Sequence, residues 1–467
     1  MFDMTIKFIL AALLIFTPIA FGSMEIWAFS LMELGILLLI VLWAVQSLVR
    51  GSEFGVRSFK YEMLMISIFL ILVIFQLIPF PSGVANVLSP KTYELRHSLS
   101  VFNSELSIFN SKFTFSFVPF LTKIEFYKWV TLSAFFLFLL HWKYFGDGVR
   151  ITNQLLTVVF LTGVFESLYG MFEFFSGHHH ILYLKGITAV TGTFINRNYF
   201  AGYLLMVIPL SMGFLVSREA FYGRRFQGWR QRLSSLDGKT LLIGFGIIVM
   251  VLGLIFSASR MGIISLLVSF TLISILFKTP QKGKGVSKTT LLILGLALLW
   301  AVWIGLDAVI GPFFNVSEDL KWRRTVWENT LKVVKDFPIL GSGLGTFGQI
   351  FPMYKSFHMR RFVSHAENDF LQLASEVGLI GVGVLFILFT FLFLKAVSGV
   401  RAMSMTDSGR YVGIGGLVGI LALMFHSVVE RNLQVPGNAF LFTFLWALVL
   451  RIGSFKQSER AVTGEIR

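Results

Sequence analysis

The chain has 467 residues, of which 55% are hydrophobic, 16% aromatic and only 14% charged, with 52 phenylalanines and no cysteine. A water-soluble chain of this length needs far more polar surface to cover its core, and without cysteine there is no disulfide, zinc-thiolate or cysteine-nucleophile chemistry. The formal charge of +15 raises nucleic acid as a partner, but in a membrane protein excess Lys and Arg sits in cytoplasmic loops as a topology signal, so its placement decides.

The apolar residues come in blocks of about 20, the length a helix needs to cross the hydrocarbon layer. A lipid-facing β-barrel shows short alternating segments instead, so the expected class is an all-α polytopic membrane protein. In chain order the blocks predict about twelve transmembrane helices, at roughly 5–22, 26–49, 61–80, 124–142, 152–175, 198–217, 240–257, 261–278, 289–306, 369–394, 411–429 and 437–453. Lys7 precedes the first, but there is no clear small-x-small cleavage site and the second span follows almost at once. It reads as an uncleaved anchor.

Every second connection is basic. The expected cytoplasmic set is Arg50, Arg57 and Lys60; Lys143 and Arg150; Arg218, Arg224, Arg225, Arg230 and Arg232; Lys278, Lys282, Lys284 and Lys288; Lys395, Arg401 and Arg410; and a tail ending at Arg467. Twelve spans with both termini in the cytoplasm satisfy the positive-inside rule, and a miscount by one inverts the pattern; the excess charge is therefore topological and no nucleic acid is expected. The chain reads as a single integral membrane domain, 1–467, without a fixed-period repeat.

Two outer segments, 81–123 and 307–368, are too long to be connectors, and the second is dense in charge and aromatics. Within it Trp327, Leu331 and Val334 recur at i, i+4 and i+7 and the pattern stops at Asp336-Phe337-Pro338, which predicts one helix. That helix is expected to lie on the membrane surface or over the mouth of the bundle.

Charged residues at the outer face are the candidates for chemistry. Arg260 lies in a tight turn between two spans, where it either snorkels to lipid headgroups or faces a cavity that receives an anion; an arginine at mid-bilayer costs about 2.5–3.5 kcal/mol, and less near the interface. Asn196, Arg197 and Asn198 stand where an outer loop enters a span, as plain helix caps or as an anion site at a helix start. Arg323 and Arg324 precede Trp327, and Gly341-Ser342-Gly343-Leu344-Gly345 follows; without a strand or a βαβ unit the glycines are weak grounds for a nucleotide loop.

Next come His365, Glu367 and Asn368-Asp369. Asp369, Gln372 and Glu376, at i, i+3 and i+7, share one helix face. Two carboxylates on an apolar helix should meet a polar cavity, in place for general-base work, or pair with the arginines. His426, Glu430, Arg431, Asn432, Pro436 and Asn438 close the series, with His426 alone reading as an interhelical histidine. The run His178-His179-His180 has no recognisable metal-ligand partner.

In this order the segments resemble the O-antigen ligase and polymerase superfamily of lipid-linked glycan transferases. The resemblance rests on Gly192-Thr193-Phe194-x-Asn196-x-Asn198-x-x-Ala201, Ser259-Arg260 and Arg324-x-x-Trp327. It continues in Pro338-x-x-Gly341-x-Gly343-x-Gly345-x-Phe347, in Asn368-Asp369-Phe370-Leu371-Gln372 with Glu376, Gly378 and Gly381, and in His426-Ser427 with Asn432-Leu433-Gln434-x-Pro436-x-Asn438. It implies transfer of a glycan from an undecaprenyl diphosphate carrier to a glycan or lipid A-core acceptor, at the periplasmic face of the bacterial inner membrane. It also implies no nucleotide donor, no metal and no other cofactor.

A diphosphate leaving group needs cations, and opposite charges about 4 Å apart gain roughly 4 kcal/mol at an effective dielectric near 20. Arg197, Arg260 and Arg324 are the expected clamp, with Arg323 as alternate. Asn196, Asn198, His426 and Asn438 are expected to contact substrate, and Asp369 to join the catalytic group. The ligases carry histidine directly before the motif asparagine; here Glu367 stands there, so the expected base is Glu367 or His365. Repeat-unit polymerisation, a lipid-linked saccharide flippase and protein glycosylation on the same scaffold are the alternative functions.

Overall fold

Blocks of Leu, Ile and Phe without water to satisfy the backbone must form helices, whose hydrogen bonds close within each segment. The computed structural model describes residues 2–50, 59–102, 112–146, 149–186, 189–221, 237–277, 316–357, 362–404 and 407–463. Among these the long helices are α1 (Phe2–Ile19), α2 (Ile26–Arg50) and α3 (Lys60–Leu77). Two shorter helices, α4 (Ser82–Leu88) and α5 (Pro90–Phe102), precede α6 (Pro119–His141), α7 (Val149–Phe175), α8 (Arg197–Phe221), α9 (Gly238–Phe256) and α10 (Arg260–Leu276). Then come α11 (Val316–Asp336), the single turn α12 (Phe347–Ile350), α13 (Asp369–Ala402), α14 (Ser408–His426) and α15 (Pro436–Thr463).

Ten of these helices are long and apolar enough to cross a membrane, and α10, at 17 residues, is a shorter apolar helix. The fold is an all-α polytopic membrane protein. The predicted span at 289–306 lies outside the described residues, as do the basic loops at 222–236 and 278–288. The only strands among the described residues are two clips of two residues each, Phe80–Pro81 on Lys112–Phe113 and His180–Ile181 on Leu184–Lys185.

Hydrophobic surface without a protein partner faces outward, as a lipid-facing wall requires: Leu48, Phe386 and Leu394 are largely exposed. At the centre α8 is buried almost throughout and packs along α14. Small residues permit that approach. A Cβ at Gly419 would stand 2.9 Å from the Met206 carbonyl oxygen, and one at Gly415 would strike the Pro209 carbonyl. In lipid, where apolar side chains gain little by association, such close backbone packing holds helices together.

Polar contacts gather at the two ends of the bundle. At one end Lys7 donates to Gln154 at 3.1 Å, Arg218 meets Asp237 at 3.4 Å, Lys395 pairs with Glu62, and Arg451 donates to the Phe145 carbonyl at 3.0 Å. The opposite end holds α11, the starts of α8, α10 and α13, and the connection between α14 and α15.

Candidate active site

Three helices begin together at this second end, each with a polar side chain turned onto its own first N–H groups. Asn196 Oδ1 accepts from the Asn198 N–H at 2.8 Å, Ser259 Oγ from the Gly262 N–H at 3.3 Å, and Asn368 Oδ1 from the Leu371 N–H at 2.9 Å. Each start carries the positive end of a helix dipole, so the three together favour an anion. Ala258, at φ 52°, lies in the tight turn between α9 and α10, just ahead of Arg260.

The connection 427–435 ties the starts to one another. Its backbone at Ser427 accepts from the Asp369 N–H at 3.1 Å, and Asp369 Oδ2 accepts from the Leu433 N–H at 2.9 Å. Glu430 Oε1 accepts from the Asn198 amide at 2.5 Å and from the Arg323 guanidinium at 2.6 Å. Arg431 hydrogen-bonds the Tyr199 hydroxyl, lies 5.2 Å from that ring, and approaches Glu367 at 3.9 Å. His426 is buried; its Nδ1 accepts from the Asn432 amide at 3.0 Å and its Nε2 stands 3.5 Å from Ser259 Oγ. Asn438 donates to the Tyr199 carbonyl at 3.1 Å. His426 and Asn438 therefore brace α8, α10 and α15, while Arg323, Arg431, Glu367 and Glu430 form a largely enclosed charged cluster beside them.

The phase of α11 separates the two adjacent arginines. Its buried face runs through Val326, Thr330 and Val333, on to Phe337 just past its end, at alternating spacings of four and three. Arg323 continues that stripe and is 13% exposed; Arg324, one residue on, is 80% exposed and pairs with Glu328 of its own helix at 2.8 Å. The helix expected from the spacing of Trp327, Leu331 and Val334 is present, but those three residues do not mark its buried face. Leu331 is 49% exposed, because the buried stripe is displaced by one residue. Trp327 still reaches inward at its edge, donating from Nε1 to the Ala366 carbonyl at 3.0 Å.

Asp369, Gln372 and Glu376 are all buried on one face of α13. Gln372 is the joint: its oxygen lies 3.2 Å from His365 Nδ1 and accepts from the Ala366 N–H at 3.2 Å, and its amide donates to Glu376 at 3.1 Å. Glu376 also accepts from the Gly345 and Phe347 N–H groups, at 2.9 and 3.3 Å. His365 and Glu376 are thus held inside this network, whereas Glu367 faces Arg431. Glu367 adopts φ 51°, a left-handed conformation that costs an L-residue of order 1–3 kcal/mol and persists only where its neighbours enforce it. Ala366 and Asn368, hydrogen-bonded on either side, do so.

The glycine run is a brace. Helix α13 breaks at Gly378, φ 66°, and the stretch 338–343 pairs with the exposed backbone there. Ser342 N donates to Ser375 O at 2.9 Å, Gly343 N to Glu376 O at 3.0 Å and Leu379 N to Pro338 O at 2.8 Å. The start of α6 and the segment before it join the same brace, with Phe117 N on Ser342 O at 2.7 Å and Thr122 Oγ1 on Leu344 O at 2.8 Å.

Glu166 in α7 had not been singled out. Both its oxygens bind Thr193, Oε2 from the N–H at 2.8 Å and Oε1 from the hydroxyl at 2.7 Å, which anchors the stretch leading into Asn196 and Arg197. The one signal for it was a carboxylate inside an apolar span. His178 meets Ser176 at 3.1 Å and Glu173 at 3.9 Å, and among the described residues no group of three His, Asp or Glu is placed to hold a metal ion.

No curated protein matches the chain. A family model described as O-Antigen ligase matches residues 245–386, the stretch that runs from within α9 through α10, α11, the glycine brace and Glu367 to the broken first part of α13. Over that stretch the match supports the O-antigen ligase superfamily, the ligase- and polymerase-type membrane glycan transferases.

Proposed function

We propose that the chain transfers a preassembled glycan from an undecaprenyl diphosphate carrier to an acceptor glycan, in the manner of an O-antigen ligase, on the periplasmic side of the bacterial inner membrane. The observation that carries the reading is the meeting of three helix starts with Arg323 and Arg431 around a strained Glu367. Arg197 and Arg260 are the first residues of α8 and α10, two of these helix starts.

In the proposed step an acceptor hydroxyl oxygen attacks the anomeric carbon of the donor sugar. The bond from that carbon to the diphosphate oxygen breaks, and its electron pair leaves with the diphosphate. Glu367 takes the hydroxyl proton, and the guanidinium groups with the helix N-termini stabilise the charge gathering on the leaving group. Asp369 positions the 427–435 connection through its bond to Leu433.

Glycan analysis of a deletion strain complemented with variants tests this. Loss of the gene should leave long polymer unattached to the lipid A core. Glu367→Gln should reproduce that loss and His365→Ala should keep a measurable rate; wild-type glycan with Glu367→Gln rules Glu367 out as base. Single repeat units on the core would establish the polymerase reading instead, and carrier-linked glycan held in the cytoplasm a flippase.

A further inference from the structure

The residue that occupies the cation site carries a carboxyl group. One oxygen of Glu430 takes hydrogen bonds from both Arg323, which the reading above sets against the diphosphate, and Asn198, which is expected to contact substrate. Glu430 is buried, and its other oxygen, Oε2, is enclosed without a hydrogen-bond partner among the described residues. A carboxylate whose two oxygens are so unequally served is poorly matched to its surroundings. The Arg323 guanidinium is shared between the Val429 carbonyl and this one Glu430 oxygen, so the carboxyl group does not meet it through both oxygens, as a diphosphate can.

We propose that Glu430 is an internal stand-in for the donor's diphosphate, closing Arg323 and Asn198 in the empty enzyme and displaced when the lipid-linked donor binds. This rests on the donor reading of the preceding section and deepens it. The same carboxylate, returning to Arg323 after transfer, competes with the diphosphate product and so promotes its release.

The groups facing Glu430 come from three elements: Arg323 of α11, Asn198 and Tyr199 of α8, and Glu367 ahead of α13, with Arg431 beside it on its own connection. Burial, and secondarily the Glu367 charge, push the Glu430 carboxyl up to about 8 against the opposing pull of Arg323 and Asn198. A proton taken up there removes the competing charge, so the stand-in weakens as pH falls and donor binding strengthens.

The test is binding of a short-chain dialkyl diphosphate, a diester with no proton that titrates near neutrality, to the full chain in lipid nanodiscs. Binding is measured from about pH 6 to about pH 9 at constant ionic strength. The wild type should lose affinity roughly tenfold across this range, the change a single titrating carboxyl gives over about one pH unit. Glu430→Gln should bind with a flat profile and, at the alkaline end, about tenfold more tightly than the wild type. Identical slopes and affinities for the two proteins overturn this inference alone. Failure of both to bind the diester overturns it together with the donor reading. Should Glu430→Gln not fold, Glu430→Asp, with the charge kept and its reach shortened, must bind more tightly than the wild type at the alkaline end; equal binding overturns the stand-in.

Discussion

Gly341→Ala isolates what the glycine run does. Gly341 sits at φ 72°, and a Cβ there would stand 2.5 Å from the Val377 nitrogen and closer still to the Glu376 carbonyl group. The left-handed conformation alone costs an alanine about 1–2 kcal/mol, and the overlap, being with backbone, cannot be relieved by a rotamer change. Moving the 338–343 stretch away gives up the bonds Ser342 to Ser375, Gly343 to Glu376 and Leu379 to Pro338, each worth about 1 kcal/mol. The expected loss is therefore about 3–5 kcal/mol, well above a typical point mutation. The assay is a thermal melt of purified protein in detergent, with Gly383→Ala as control, since nothing lies within 4 Å of a Cβ at that position. Gly341→Ala should melt far below the wild type and the control alongside it. A variant that melts with the wild type yet transfers no glycan would refute the brace and make the run a ligand loop.

Three further outcomes follow from the geometry. Arg323→Ala should cut glycan transfer at least tenfold, by removal of a charge-assisted contact to the leaving group, whereas Arg324→Ala, at an exposed pair on its own helix, should stay near wild type; the reverse order in complementation would mean that α11 is turned otherwise in the working protein. Glu166→Ala leaves the buried Thr193 N–H without its acceptor, a loss of about 1–3 kcal/mol, and should lower the melting temperature more than Glu166→Gln. Glu430 gives stability a pH dependence of known sign. The folded carboxyl titrates at about 8 and the unfolded one near about 4.3, so between these values only the folded state binds the proton. Its contribution is present at low pH and lost as pH rises through that window, so the melting temperature should fall relative to Glu430→Gln; a parallel profile for the two proteins would contradict it.

Periodicity and composition alone determined a large part of this protein. Helix length follows from the thickness of hydrocarbon, and so apolar blocks mark their own spans whatever packs beside them. The stops are local too. Asp336-Phe337-Pro338 ends α11 where the pattern breaks, and Asn196, Ser259 and Asn368 cap the helices they precede. The order of these segments carried the family resemblance, since it lies in residue identities at short spacings.

Only the tertiary structure decided which of those residues meet. Neighbours on a helix point about 100° apart, so a one-residue error in the phase of α11 exchanges Arg323 for Arg324, and the phase is set by what α11 packs against. Glycine runs look alike whether they cradle a phosphate or a backbone; the break at Gly378, which Gly341 and Gly343 cover, appears only once α13 is built. The bond from Asn198 to Glu430 joins residues 232 positions apart, and that from Thr193 to Glu166 joins the connection ahead of α8 to the interior of α7. No local propensity encodes such pairs, because their free energy comes from burying one polar group against another that the rest of the fold has brought there.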